Sequence, residues 1–229
     1  VIDEWQRVPQ TWDLIRRAVD AGAAPGSFLL TGSAMTAAPT HSGAGRIVRL
    51  RMRSLALSER GLQKPTVSLS DLLRGDRPPI EGSSGVTVAE YADAICSSGF
   101  PGFRHLEGRA LRAVLDGYLN SIVDRDFADL GLPVRNPAKL RRWMAAYAAA
   151  TATAASYETI RDAATGGEHD KPAKTTVLAY RDVLERLWIV DPVPAWLPSP
   201  NHIARLGASP KHHLADPALA ARLLGAGPG

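Results

Sequence analysis

The amino-acid sequence predicts an α/β segment over residues 1–60, a connector over 61–88 and a mostly α-helical domain over 89–229, winged-helix-like from about 137. Three observations carry this prediction. The chain opens on VIDEWQ, in which two β-branched apolar residues run into an adjacent Asp-Glu pair, as a buried strand does when its end delivers two carboxylates to a site. FLLTGSA and GRIVRLRMRSL then read as one wholly apolar strand and one alternating strand. From residue 88 onward, apolar residues recur at helical spacing behind capping residues.

The elements follow in order. QTWDLIRRAVDAG places Trp12, Ile15 and Val19 on one face and Arg16, Arg17 and Asp20 on the other, an amphipathic helix ended by Gly22 and the APG after it. SFLLTGSA suits a buried parallel strand running into small polar residues. In GRIVRLRMRSL, Val48, Leu50 and Met52 face one way and Arg49, Arg51 and Arg53 the other, a strand with one solvated basic face. Residues 61–88 mix Pro, Gly and Ser around one short helix. TVAEYADAICSSG starts with Thr87 three residues before Glu90, the spacing of a capping box. EGRALRAVLDGYLNSIVDRDFADLG puts Leu111, Leu115, Tyr118, Leu119 and Ile122 on one stripe.

NPAKLRRWMAAYAAATATAA begins with Asn136 as cap and Pro137 at the first helical position. SYETIRDAA is a short helix capped by Ser156, with Glu158 in its first turn. A loop containing GGEHDKPAK leads to a longer helix, TTVLAYRDVLERLW. Extended IVDPVPAW, a Pro/Asn turn LPSPNH, and a short strand and helix in HHLADPALAARLLG complete the chain. Helix, turn, helix, strand, loop, strand is the winged-helix layout.

Composition narrows the class of protein. A hydrophobic fraction of 45% with 22% charged residues is that of an ordinary globular chain. The formal charge of +4 allows nucleic-acid contact without requiring it. Cys96 is the only cysteine, which excludes an intramolecular disulfide and a cysteine-based metal cluster and suits a reducing cytoplasm. The six histidines show no metal-ligand spacing. MAAYAAATATAASYETI is alanine-rich and short of large aliphatics, so it reads as a bundle helix and not a membrane span. Residues 1–20 carry charges throughout and show no signal-peptide pattern.

Taken together, these motifs resemble the bacterial and archaeal AAA-type ATP-binding proteins that carry a C-terminal domain of unknown function. IDEWQRVP resembles the Walker B strand, FLLTGSA the sensor-one strand, and GRIVRLRMRSLALSE the Gly-Arg strand that closes the ATPase core. SSGFPG, YLNSIVDRDFADL, TTVLAYRDVLERLWIV and KHHLADPALAARLLG resemble successive signposts of the C-terminal region. The implied fold is an α/β remnant of a P-loop, AAA-type sheet followed by a mostly α-helical, winged-helix-like domain. No G-x-x-x-x-G-K-[ST] occurs in the 229 residues. The resemblance therefore implies an internal fragment without Walker A: ATP and magnesium belong to the full-length protein, and the chain alone is expected to be inactive as an ATPase.

The resemblance also implies roles for particular residues. Asp3 would help hold magnesium and Glu4 would orient the attacking water; otherwise they are an exposed acidic pair. Thr31 and Ser33 resemble sensor-one residues facing the γ-phosphate, or serve only the geometry of a Thr-Gly-Ser turn. Arg46 matches an arginine finger, or simply begins a strand. In the later helix, Val177, Leu178, Leu184 and Leu187 are expected to pack on the core. Lys174, Thr175, Thr176, Tyr180 and Arg181 would then face a DNA or protein partner, with Asp182 and Glu185 on that side opposing phosphate. Such a non-enzymatic binding module is the alternative function.

Overall fold

Residues 1–34, 45–165, 171–196, 203 and 207–227 are described in a computed structural model of the chain. The LPSPNH turn and residues 166–170 of the loop before the later helix lie outside them.

Local sequence produces the helices where caps and periodicity place them. After a 3-10 turn at Trp5–Arg7, α1 spans Gln10–Asp20 and buries Trp12 and Ile15, while Trp5 stacks on Trp12 with ring centroids 4.9 Å apart. The short α2, Leu69–Leu73, is capped by Ser68. Helix α3, Val88–Cys96, starts with the full capping box: Glu90 N–H donates to Thr87 Oγ1 at 3.2 Å and Thr87 N–H to Glu90 Oε2 at 2.7 Å. Helix α4, Gly108–Ser121, passes through a π-helical turn at Ile122–Asp126 into the short α5, Phe127–Asp129. Helix α6, Pro137–Ala149, is capped by the Asn136 side chain, which accepts from Lys139 N–H at 3.0 Å. Ser156 caps α7, Tyr157–Ala163; α8 runs over Lys174–Arg186, and α9 over Pro217–Leu223 behind Asp216.

Helices α4 to α9 enclose one core. Phe127, Leu140, Trp143, Tyr147, Leu184 and Leu219 are wholly buried within it, and Phe127 and Trp143 both meet the Tyr180 ring edge-on. Each large side chain removed from water here contributes about 1.5–3 kcal/mol. Among the described residues, no helix is long and apolar enough to cross a membrane.

The expected α/β P-loop sheet is absent: among the described residues the fold is helical, with no strand and no sheet. Only three isolated bridges occur, Ile2–Leu30 parallel, and Val190–Leu214 and Val193–Lys211 antiparallel. Among the described residues, the wing expected after α8 shows two bridges and no strand. A strand exists only where a neighbour takes up its backbone groups. Leu30 has one bridged partner, Ile2, and residues 47–53 have none.

The alternating arm is turned the other way from expectation. Half-buried Arg51 and, from an exposed position, Arg53 both donate to Asp191 at 2.6 Å, and the Arg51 guanidinium lies 4.9 Å from the Trp188 ring centre. Val48, Leu50 and Met52 are left in solvent, 84%, 87% and 92% exposed. A charge-assisted fork to a nearly buried carboxylate outweighs the modest gain from covering three side chains on a surface with no second layer. Beyond the fork, Ser54 Oγ donates to Ala215 C=O at 2.8 Å and Leu55 N–H to Gly99 C=O at 2.8 Å, strapping the arm across the turn after α3 and the start of α9.

Candidate functional site

The single parallel bridge assembles the site. Ile2 N–H donates to Leu29 C=O at 2.8 Å, Thr31 N–H to Ile2 C=O at 2.9 Å, and Trp5 N–H to Thr31 C=O at 3.2 Å. This backbone pairing sets Asp3 and Glu4 beside the Thr-Gly-Ser turn. Thr31 Oγ1 donates to Asp3 Oδ1 at 2.5 Å, and Ser33 Oγ donates to Glu4 Oε2 at 3.2 Å. Four of the residues singled out from sequence therefore meet in two carboxylate–hydroxyl pairs.

Glu4 pays for its position in backbone conformation. Its φ of 48° and ψ of 43° lie in the left-handed region, which costs a residue with a Cβ about 1–2 kcal/mol. Strain of this kind persists where surrounding contacts hold it, and functional sites are where it gathers. The contact holding it was not legible from the sequence: Gln6 Nε2 donates to Glu4 Oε2 at 2.6 Å and lies 3.5 Å from Ser33 Oγ. The only hint was a polar side chain two positions beyond Glu4. Gln6 Oε1 is buried and accepts nothing among the described residues, so it presents an unused acceptor beside the carboxylates.

Gly32 makes room for that amide, because a Cβ there would run into the end of the Gln6 side chain. Gly32→Ala is expected to push Gln6 off Glu4 and Ser33 while changing unfolding free energy by less than about 1 kcal/mol, since the obstacle is a flexible chain end. Backbone amide shifts at residues 4–6 and 31–33, together with a urea melt, check this. Unmoved shifts would mean that Gln6 does not lean on Gly32.

The donor set fits magnesium. Two carboxylates and two hydroxyls are donors of the kind an oxygen-seeking cation would use, with water and phosphate completing its shell. Among the described residues no group of three or more His, Cys, Asp or Glu could cage a metal.

The remaining sequence candidates lie elsewhere. Arg46 Nε is held by Asp20 Oδ1 at 2.5 Å, at the C-terminal end of α1. Lys174 pairs with Glu158 at 3.2 Å. Arg181 stands 4.4 Å over the Tyr157 ring and 3.5 Å from Glu185; Lys174 and Arg181 share a cleft of about 310 Å³ between α7 and α8. Thr175 is exposed and Thr176 half-buried, but Tyr180 is buried in the core and Leu178, expected inside, is 45% exposed. The helix is rotated from the orientation expected because Phe127 and Trp143 take the Tyr180 ring.

Desolvation pushes the Tyr147 and Tyr157 hydroxyls up. The wholly buried His212 bridges Tyr147 Oη at 3.2 Å and Ala155 C=O at 2.8 Å, a structural role with no metal partner among the described residues. Partial burial, with Asp93 adding to it, likewise raises the half-buried Cys96 thiol.

Two mycobacterial proteins are similar to this chain: Uncharacterized protein Mb2031c of Mycobacterium bovis and Uncharacterized protein Rv2008c of Mycobacterium tuberculosis. Each is 28% identical over 229 residues, covering 98% of this chain and 44% of its own length. The chain thus spans less than half the length of the curated relatives it matches. No solved structure matches it. Residues 88–229, from α3 to beyond α9, match the family described as a domain of unknown function, DUF8612, with the Asp3–Ser33 cluster outside the matched region. By that match over more than half of its length, the chain belongs to the DUF8612 family.

Proposed function

We propose that this chain carries the magnesium-holding, water-positioning side of an ATP site and works in the cytoplasm as part of a longer AAA-type ATP-binding protein. The 229 residues hold no G-x-x-x-x-G-K-[ST] motif, so this reading needs the phosphate-binding loop to come from another part of that protein. One observation carries the reading: the Ile2–Leu30 bridge brings Asp3 to Thr31 and Glu4 to Ser33 across 28 and 29 positions of chain. A bare acidic pair on a frayed end would not need a strained Glu4 held by a second side chain.

Each residue has a distinct task in this reading. Asp3 takes the cation side of the site, through oxygen or bound water. Glu4, released from Gln6, accepts a hydrogen bond from a water and aims it in line with the bond to be broken. Thr31 and Ser33 would turn their single hydroxyl hydrogens away from Asp3 and Glu4 and toward the terminal phosphate. Bound magnesium–ATP supplies the electrophilic phosphorus and the leaving group.

Magnesium-dependent ATP turnover is expected in the longer polypeptide and absent from the 229-residue chain, because most phosphate contacts in such sites come from the loop backbone and its Lys. In the longer polypeptide, Glu4→Gln is expected to lower kcat by about a hundredfold or more while nucleotide binding persists. Steady-state turnover and equilibrium nucleotide binding measure the two quantities. Turnover that survives the substitution would remove Glu4 from the chemistry.

A further inference from the structure

A cleft of about 340 Å³ opens between α4, α6 and α9, far along the chain from the carboxylate cluster. Three guanidinium groups line it, Arg141, Arg142 and Arg222, against a single lining carboxylate, Asp116. Arg222 is spent on that carboxylate, in a fork of 2.6 and 2.7 Å. Arg141 donates to Asn120 Oδ1 at 2.6 Å and stands 3.6 Å from the largely exposed Asp124, a longer and weaker tie. Asn120, whose Oδ1 takes that hydrogen bond, lines the same cleft with its side-chain amide as a further donor.

The rest of the lining is apolar. Leu119, Val123, Met144, Ala145 and Leu223 form it, and Leu119, Val123 and Met144 are themselves buried. Cationic donors on an apolar floor make a two-part recognition surface, one part for charge and one for hydrocarbon. The π-helical turn adds a second, independent mark. Phe127 N–H reaches back to Ile122 C=O across one extra residue, and Val123 projects into the cleft from within that turn. Such turns are rare and recur at functional sites.

We propose that this cleft binds a small amphipathic organic anion, a carboxylate or phosphate head on a short hydrocarbon body. Arg141 and Asn120 take the head, and the Leu119–Met144–Leu223 floor takes the body. At about 30 Å³ per water, the cleft holds the volume of about eleven waters, which suits a ligand of on the order of ten non-hydrogen atoms. A ligand of that size binds with Kd between roughly 10 μM and 1 mM.

Calorimetric titration of the intact chain with octanoate, octyl phosphate and octanol tests the proposal. Octanoate or octyl phosphate is expected to saturate one site, with the tighter of the two naming the head group, and octanol to bind at least about tenfold more weakly. Arg141→Gln is expected to weaken the anion about tenfold, and Ala145→Phe, which fills the cleft from α6, to abolish binding. Circular dichroism melts confirm that both variants fold. Equal binding of octanol and octanoate, an undiminished site in Ala145→Phe, or no saturation by millimolar anion would each overturn it. The octanol comparison needs no variant.

Discussion

Asp216→Ala is expected to lower the unfolding free energy by about 3 kcal/mol. The Asp216 side chain is wholly buried; its Oδ2 accepts from Gly99 N–H at 2.7 Å and its Oδ1 from Ala218 N–H at 2.9 Å. The second bond caps α9 and contributes about 1 kcal/mol. The first satisfies a donor in the turn after α3 that has no access to water, and leaving it unpaired costs about 2 kcal/mol. Asp216→Asn preserves shape but turns an NH2 group toward one of the two N–H donors, so it should fall between Ala and the natural residue. Urea melts measure all three; a loss under about 1 kcal/mol for the alanine variant would mean the turn and α9 do not depend on this carboxylate.

Gly99→Ala acts at the same junction from the opposite side and is expected to cost about 2–3 kcal/mol. An added Cβ would stand 2.7 Å from Leu55 C=O and 3.1 Å from both Leu55 N and Ser54 Cβ. These are backbone and Cβ atoms, which cannot swing aside as the Gln6 amide can. Gly99 is also pinned at both of its own polar groups, donating to Asp216 and accepting from Leu55 at 2.8 Å. The clash should expel the arm, so hydrogen exchange at residues 51–57 should quicken along with the fall in the urea midpoint. Natural stability with unchanged exchange would show that the arm does not rest on Gly99.

The same two residues lie in segments whose residue pattern is visible in the sequence but whose task is not. SSGFPG and KHHLADPALAARLLG stood out as signposts of the C-terminal region. What they accomplish is a contact across 117 positions between Gly99 and Asp216, which neither segment contains by itself.

The helices were determined by the sequence alone. Thr87 with Glu90, Asn136 with Pro137, and Ser156 each mark a start within one turn of the chain, and the Leu111–Leu115–Leu119–Ile122 stripe is buried as its spacing requires. Caps and 3.6-residue periodicity are local, so they survive translation into structure. Asp3, Glu4, Thr31 and Ser33 were legible as residue types, but their meeting depends on one backbone bridge, and Gln6 and the strain at Glu4 carried no signal. Strands are not local objects: SFLLTGSA and GRIVRLRMRSL have strand-like patterns, yet the described chain offers them no ladder. Only the tertiary structure decided that Arg51 and Arg53 turn to Asp191, 140 and 138 positions away, leaving Val48, Leu50 and Met52 in water. A buried carboxylate that can be paired outweighs an alternation that has nothing to pack against.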